Sequence, residues 1–240
     1  MIHSTRGIVL SHVRYGETSA IVHVYTALFG RQAYMVNGVR SLKNKGKSVL
    51  LQPLTLLQMQ VYHKPGKDIQ RIKEFRVEYP FVSLPFDQTK RSIAFFITEL
   101  MNRSFREVEA NDAMFNYIFT SVLMLDSIKG ASNFHLFFLA GLTRYLGFFP
   151  DLSDYNSEMC FDLQNGVFCK SSIDHSLFIS PTDTSRWYDL FSLGMEDIES
   201  FILNSDQRNK LVDALIEYFT LHLPGLGHIK SLDVLHDLYL

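Results

Sequence analysis

The stretch Asn37-Gly-Val-Arg-Ser-Leu-Lys-Asn-Lys-Gly-Lys-Ser48 carries Arg40, Lys43, Lys45 and Lys47 and no carboxylate. Asn37, Gly38, Asn44 and Gly46 make it a loop rather than a helix. A short, purely cationic loop suits a row of phosphates better than a small substrate. Its tail, Gly46-Lys47-Ser48, matches the end of the phosphate-binding loop of nucleotide hydrolases. That motif needs a glycine where Ser41 stands, and Pro53 limits any helix that follows, so nucleotide hydrolysis is not expected. Structural zinc takes four Cys or His ligands, usually in close pairs. Here Cys160 and Cys169 have eight residues between them, His175 is a candidate third ligand and no fourth is evident. No cofactor is therefore expected, and both thiols read as bystanders. The chain has no HExxH pair and no GxSxG elbow. His23 alternates with apolar neighbours, and acidic groups such as Asp151/Asp154 and Glu196/Asp197/Glu199 read as solvated surface. No catalytic centre is expected.

The net charge of -2 conceals an asymmetry. Residues 1–80 hold 12 Lys and Arg against 4 Asp and Glu, whereas the remaining 160 residues hold 11 against 21. Between Glu17 and Asp68 there is no acidic residue, while Arg31, Arg40, Lys43, Lys45, Lys47, Lys64 and Lys67 all fall there. Such a split points to an anionic polymer as partner of the first part. The competing explanation is a cationic face docked on the acidic second half. The first residues lack the apolar core of a signal peptide. The longest apolar run, near Phe134 to Leu142, is interrupted by His135 and far short of the roughly twenty residues that span a bilayer. A cytoplasmic, nucleoid-associated protein without a membrane partner is expected.

The elements that must hold these residues follow from periodicity. Alternation predicts strands over Thr5–Tyr15, Ala20–Thr26, Gln32–Val36, Leu54–His63 and Ile69–Glu78, with turns at Tyr15–Ser19, Phe29–Arg31 and Lys64-Pro-Gly-Lys67. Five short strands in about 80 residues imply a small barrel, of the OB-fold or SH3-like kind. After Pro80 and Pro85 the period becomes helical. Asp87 is an expected N-cap. Ile93, Phe96, Ile97, Leu100 and Met101 form one stripe, and Phe115, Ile118, Phe119, Val122 and Leu125 another. Ser132 is expected to open a third helix that stops at Gly147 and Pro150. Residues 151–186 lose the period, and Cys160 to Cys169 reads as a hairpin turning at Asn165-Gly166. Helix is expected to resume near Gly194, with a stripe of Leu211, Ala214, Leu215, Tyr218 and Phe219, and a last short helix carries Leu232, Leu235 and Leu238. The expected fold is α+β: a five-stranded OB-fold barrel over 1–80, then a mostly helical domain over 81–240 with an irregular, zinc-finger-like insertion at 151–186.

A basic groove with aromatic stacking platforms is how OB-folds hold single strands. The expected nucleic-acid-binding residues are Arg14, Arg31, Arg40, Lys43, Lys45, Lys47, Lys64 and Lys67, with Tyr34 and Tyr62 as stacking candidates. The residues alone leave three readings open: a DNA-binding mediator, an RNA-binding module and a protein–protein adaptor.

Ordered short segments add to this. Arg14-Tyr-Gly-Glu-Thr-Ser19, Phe29-Gly-Arg31, Asn37-Gly-Val-Arg40 and Leu51-Gln-Pro53 resemble, in order and spacing, the N-terminal domain of the RecO family of bacterial recombination mediators. Tyr145-Leu-Gly-Phe-Phe-Pro-Asp-Leu152 and Lys230-Ser-Leu-Asp-Val-Leu235 resemble later parts of the same family. The resemblance implies binding to single- and double-stranded DNA and annealing of complementary strands. It also implies work with RecR to load RecA onto DNA coated by single-stranded DNA-binding protein, whose acidic C-terminal tail the helical domain would take. Many family members carry four zinc-binding cysteines after the Leu-Gly-x-x-Pro segment; this chain has two. Its hairpin is expected to be held instead by packing of Phe161, Val167 and Phe168. The third helix offers only Arg144 as a cation for an acidic tail.

Overall fold

The computed structural model describes residues 1–39, 49–105, 109–170 and 175–237. The chain divides into two compact units, Met1–Ser127 and Ile128–Leu240.

The first unit begins with five strands: β1 (Ile2–Tyr15), β2 (Ser19–Thr26), β3 (Gly30–Val36), β4 (Leu56–Tyr62) and β5 (Ile69–Val77). They close into a barrel in the order β1-β2-β3-β5-β4, so the OB-like alternative holds. All pairings are antiparallel except β3 with β5. Closure rests on the long β1. Its first half pairs with β4, from Ile2 opposite Tyr62 to Ile8 opposite Leu56, and its second half pairs with β2, from Gly7 opposite Thr26 to Tyr15 opposite Ser19. At the handover a β-carbon on Gly7 would lie 2.6 Å from Val24 Cγ1 and 3.0 Å from Met59 Cε, so only glycine fits without displacement. A register shift between Val9 and Ser11 then frees the Val9 backbone. Val9 N–H donates to Thr55 O at 3.0 Å, and Leu54 N–H donates to Val9 O at 2.8 Å. Leu54 holds a φ of 63°, a left-handed conformation rare for a leucine.

Alternation gives the barrel its interior. Val9, Val22, Val24, Tyr34, Leu57, Met59 and Val61 form the buried core, with Phe29, Ile72 and Phe75 packed against it. The outer face is covered over part of its extent. Ile8, Leu10 and Tyr25 are fully buried although they alternate with core residues. Two helices cover them: α1 (Gln88–Ser104), which packs on β1, and α2 (Asp112–Ser127). The Tyr25 ring lies 5.1 Å from Phe105 and 6.1 Å from Phe115. The Arg6 guanidinium sits 4.9–5.1 Å above Phe119 and Phe115, and Arg6 Nη2 donates to Asn116 Oδ1 at 3.0 Å.

Asp87 is the N-cap of α1, accepting from Lys90 N–H at 3.0 Å, as expected. The turn before it is gripped by Asp126, near the end of α2. Its carboxylate accepts from the backbone N–H groups of Val82 (2.9 Å), Ser83 (2.9 Å) and Leu84 (2.7 Å). Burial works against its charge, but these donors and the Ser83 hydroxyl outweigh it and hold the pKa below the usual carboxylate range. Buried Lys90 completes the clasp, with Nζ 2.8 Å from the Asp126 carbonyl and 2.7 Å from Ser83 Oγ.

The second unit is built on α3 (Phe134–Leu146), which packs against α4 (Pro181–Ser192) and α5 (Ser205–His222); α6 (Lys230–Asp237) follows. Asn133, rather than Ser132, takes the N-cap position of α3, and Gly147 ends that helix in the left-handed conformation at φ 87°. A three-stranded sheet in the order β7-β6-β8 combines β6 (Cys160–Asp162), β7 (Val167–Cys169) and β8 (Phe178–Ile179). Helix α4 lies partly in the stretch expected to be irregular. Proline at its first turn preorganises the helical φ there. Near Gly194 only a single 3-10 turn, Met195–Asp197, forms before α5. Leu238 lies outside the described residues.

Two stability predictions follow from these packings. Gly7→Ala forces its β-carbon against Val24 and is expected to lower unfolding free energy by about 1–3 kcal/mol in denaturant titration. His135, on α3, is fully buried; desolvation, then Arg208 and His236, push its pKa from 6.5 down to about 3. Between those values the unfolded chain binds a proton that the folded chain refuses, so stability falls as pH falls, by up to about 1.4 kcal/mol per pH unit. His135→Leu should flatten that part of the profile, read by unfolding at stepped pH between 7 and 4.

Candidate nucleic-acid interface

Strand β4 ends at Tyr62, and the chain returns into β5 through Lys64-Pro65-Gly66-Lys67. Proline at the second position, Gly66 at φ 74° and a Lys67 N–H to Lys64 O bond of 3.3 Å make this a type II turn. Behind it Gln70 is 2% exposed. Its Oε1 accepts from Lys64 N–H at 3.0 Å, and its Nε2 donates to Lys64 O and Lys67 O, both at 2.8 Å. The turn forms a ridge between two hollows. One, of about 320 Å³, is lined by Tyr62, Lys64, Lys67, Gln70 and Arg71. The other, of about 510 Å³, has Arg31, Gln32, His63 and Asp68 among its lining, again with Lys64, Lys67 and Gln70. Asp68 is the single carboxylate lining either hollow among the described residues.

The strand register extends this site into a belt. Tyr62 is opposite Arg71, Arg71 opposite Met35, Met35 opposite Ile21 and Ile21 opposite Val13. The parallel β3–β5 pairing thus sets Arg71 two strands, about 10 Å, from Ile21. At the other side of the turn the His63 ring stacks on Phe29 at 3.9 Å and 7°, with His3 edge-on to Phe29 at 5.2 Å. Desolvation, then the His3 ring and the N-terminal amine, hold the His63 pKa below its ordinary value.

The fold therefore brings Arg31, Tyr62, Lys64 and Lys67 together. Arg14 is exposed but sits beside Val13, four strand spacings or about 19 Å along the sheet from Tyr62. Tyr34 does not belong to a stacking surface: it points into the barrel and is 0% exposed. Its burial follows from alternation, since Ala33 and Met35 take the outer face of β3. Arg40, Lys43, Lys45 and Lys47 lie outside the described residues; the segment that leads to them leaves β3 one residue past Met35. Arg71 was missing from the sequence-based set. Its signal was present in the alternation of Gln70 and Arg71 at the start of β5, but only the β3–β5 pairing reveals its neighbours. Tyr15, 51% exposed, and Tyr62, 40% exposed, are the tyrosines of the barrel strands that face outward. Tyr34→Ala is expected to cost about 3–5 kcal/mol of stability. Tyr62→Ala should change the unfolding free energy by no more than about 0.5 kcal/mol, read by the same denaturant titration.

In the second unit Cys160 and Cys169 are free thiols directly opposite one another in the β6–β7 register. Burial, then Asp162 and Cys160, raise the Cys169 pKa. His175 Nε2 lies 3.6 Å from Asp162 Oδ1, and His175 Nδ1 accepts from Leu177 N–H at 3.2 Å. Asp162 is itself committed to the turn, accepting from Gln164 N–H at 2.8 Å, Asn165 N–H at 3.1 Å and the Asn165 amide at 2.6 Å. Among the described residues no three His, Cys, Asp or Glu side chains gather to hold a metal ion. Phe161 and Phe168 pack edge-on at 5.0 Å. Val167 does not join them, being 37% exposed; the Asp162 turn supplies the remaining constraint.

No described helix is long and apolar enough to cross a membrane. The family model described as Recombination protein O N terminal matches residues 1–81, the span of the barrel. The model described as Recombination protein O C terminal matches residues 85–233. The chain is 39% identical to the DNA repair protein RecO of Bacteroides fragilis over 241 residues and 38% identical to that of Phocaeicola vulgatus over 240, each alignment covering both chains in full. It is 34% identical to the DNA repair protein RecO of Flavobacterium psychrophilum, over 98% of each chain. A closed five-stranded barrel with a cationic hairpin, both family models and full-length relatives agree, and the chain belongs to the RecO family of DNA repair proteins.

Proposed function

We propose that the protein is a recombination mediator that works by binding rather than by catalysis. It holds single- and double-stranded DNA through the cationic face of its barrel and anneals complementary strands. With RecR it helps to load RecA onto DNA coated by single-stranded DNA-binding protein, engaging that protein's acidic tail. The observation that carries the DNA contact is the convergence of Tyr62, Lys64, Lys67 and Arg71 on one hollow, with Arg31 across the ridge. Lysines and arginines there neutralise phosphates without reading bases, and Tyr62 offers a face on which any base stacks, worth about 1–3 kcal/mol. Arg40, Lys43, Lys45 and Lys47, which follow β3 in the sequence, and exposed Arg14 add their charge to this reading. Family membership supports the mediator role, and the RecR, RecA and tail interactions rest on the resemblance.

The test is fluorescence anisotropy of a labelled single strand across a salt series. Replacing Lys64, Lys67 and Arg71 together by Glu should weaken binding and reduce the slope of log K against log salt by about 2, at roughly 0.7 per lost phosphate contact. The same variant should anneal coated complementary strands more slowly with RecR present. Unchanged affinity and slope in a folded variant would remove this face from the function.

A further inference from the structure

We infer that Gln70 is the positioning residue of the DNA-binding face: an uncharged, buried side chain that sets where Lys64 and Lys67 stand. This rests on the reading that the hairpin ridge binds DNA. Three observations carry it. First, Gln70 uses both ends of its amide on the turn, accepting from Lys64 N–H and donating to the carbonyls of Lys64 and Lys67. Within the turn itself the bond from Lys67 N–H to Lys64 O is longer, at 3.3 Å. Second, Lys64, Lys67 and Gln70 are common to the linings of both hollows, so the turn's angle sets the cation position on each side of the ridge. Third, Gln70 is opposite Tyr34 on β3, facing inward at a position where the other strands carry apolar core residues. A glutamine there has a polar task, because burying its amide without partners is unfavourable.

The chemistry follows from these bonds. Pro65 and Gly66 favour a type II turn but do not aim it. Gln70 ties both ends of the turn to the barrel wall, so the two ammonium groups start from fixed backbone positions. Less conformational freedom is then lost when a phosphate backbone arrives. Without the amide, Lys64 and Lys67 keep their charge but lose their common placement.

The experiment uses the full chain and a labelled oligothymidine strand across a salt series. Gln70→Met preserves volume and removes all three bonds. The expected result is an affinity loss of about tenfold and a salt slope lower by about 1.4, as if two phosphate contacts were lost, although no charge has changed. Amide hydrogen exchange at Lys64 should accelerate in the same variant. If Gln70→Met does not fold, Gln70→Ser, which admits water to the three backbone groups, is measured in the same way. A variant that is less stable but keeps the wild-type slope would overturn the inference, leaving Gln70 a structural residue only. The comparison arm is Lys64→Glu with Lys67→Glu. If that pair weakens binding while the Gln70 variant matches wild type, the positioning role fails and the DNA-binding face stands. If the lysine pair also matches wild type, the face itself is wrong and the role of Gln70 falls with it.

Discussion

Closure of the barrel depends on one strand serving two neighbours. β1 runs beside β4 and then beside β2, and at Gly7 and Ile8 it is paired on both sides at once. The space there is set by Val24 and Met59, both part of the core. A side chain at Gly7 would push those two residues apart and with them the strands that carry them. The shift at Val9 and the left-handed Leu54 belong to the same adjustment. As β1 turns away from β4, its backbone groups are taken up by Leu54 and Thr55 instead of a strand partner. Leaving buried backbone groups unpaired would cost more than the strained leucine conformation.

The first unit is more than a barrel because its outer surface is not uniformly polar. Ile8, Leu10 and Tyr25 need cover, and α1 and α2 provide it. Asp126 fixes the relation between the two helices by gathering three backbone N–H groups ahead of α1. A carboxylate holding that many donors stays ionised despite burial. The helices take one side of the barrel and leave the belt from Tyr62 through Arg71 to Met35 uncovered, so the division between covered and open faces is drawn by which strand residues are apolar on both sides.

Much of this was legible in the residues. The five strands appear close to their expected limits because alternation and turn chemistry agree, and Asp87 caps its helix because an N-cap is a local event. The failures are non-local. Tyr34 and Tyr62 look alike in sequence, and only closure puts one ring inside and the other on the surface. Tyr25 shares a strand face with Ile21 and His23 yet is buried, since the helices that cover it lie far along the chain. Helix α4 was missed because its apolar positions are few and Trp187, Leu190 and Phe191 fall late in it. Arg71 went unnoticed because nothing local pairs the start of β5 with the end of β3.

The parallel pairing of β3 with β5 has a kinetic consequence. Antiparallel hairpins join neighbouring segments and form early, whereas this pairing joins Met35 to Arg71 across the whole β4 hairpin and the segment before it. Contacts of such long sequence separation are slow to form. The tyrosine–arginine belt therefore exists only once this long-range seam of the barrel has shut. A partly folded chain carries every charge of the site but not their arrangement, and a bound strand, by favouring the closed state, would act as a latch on that seam.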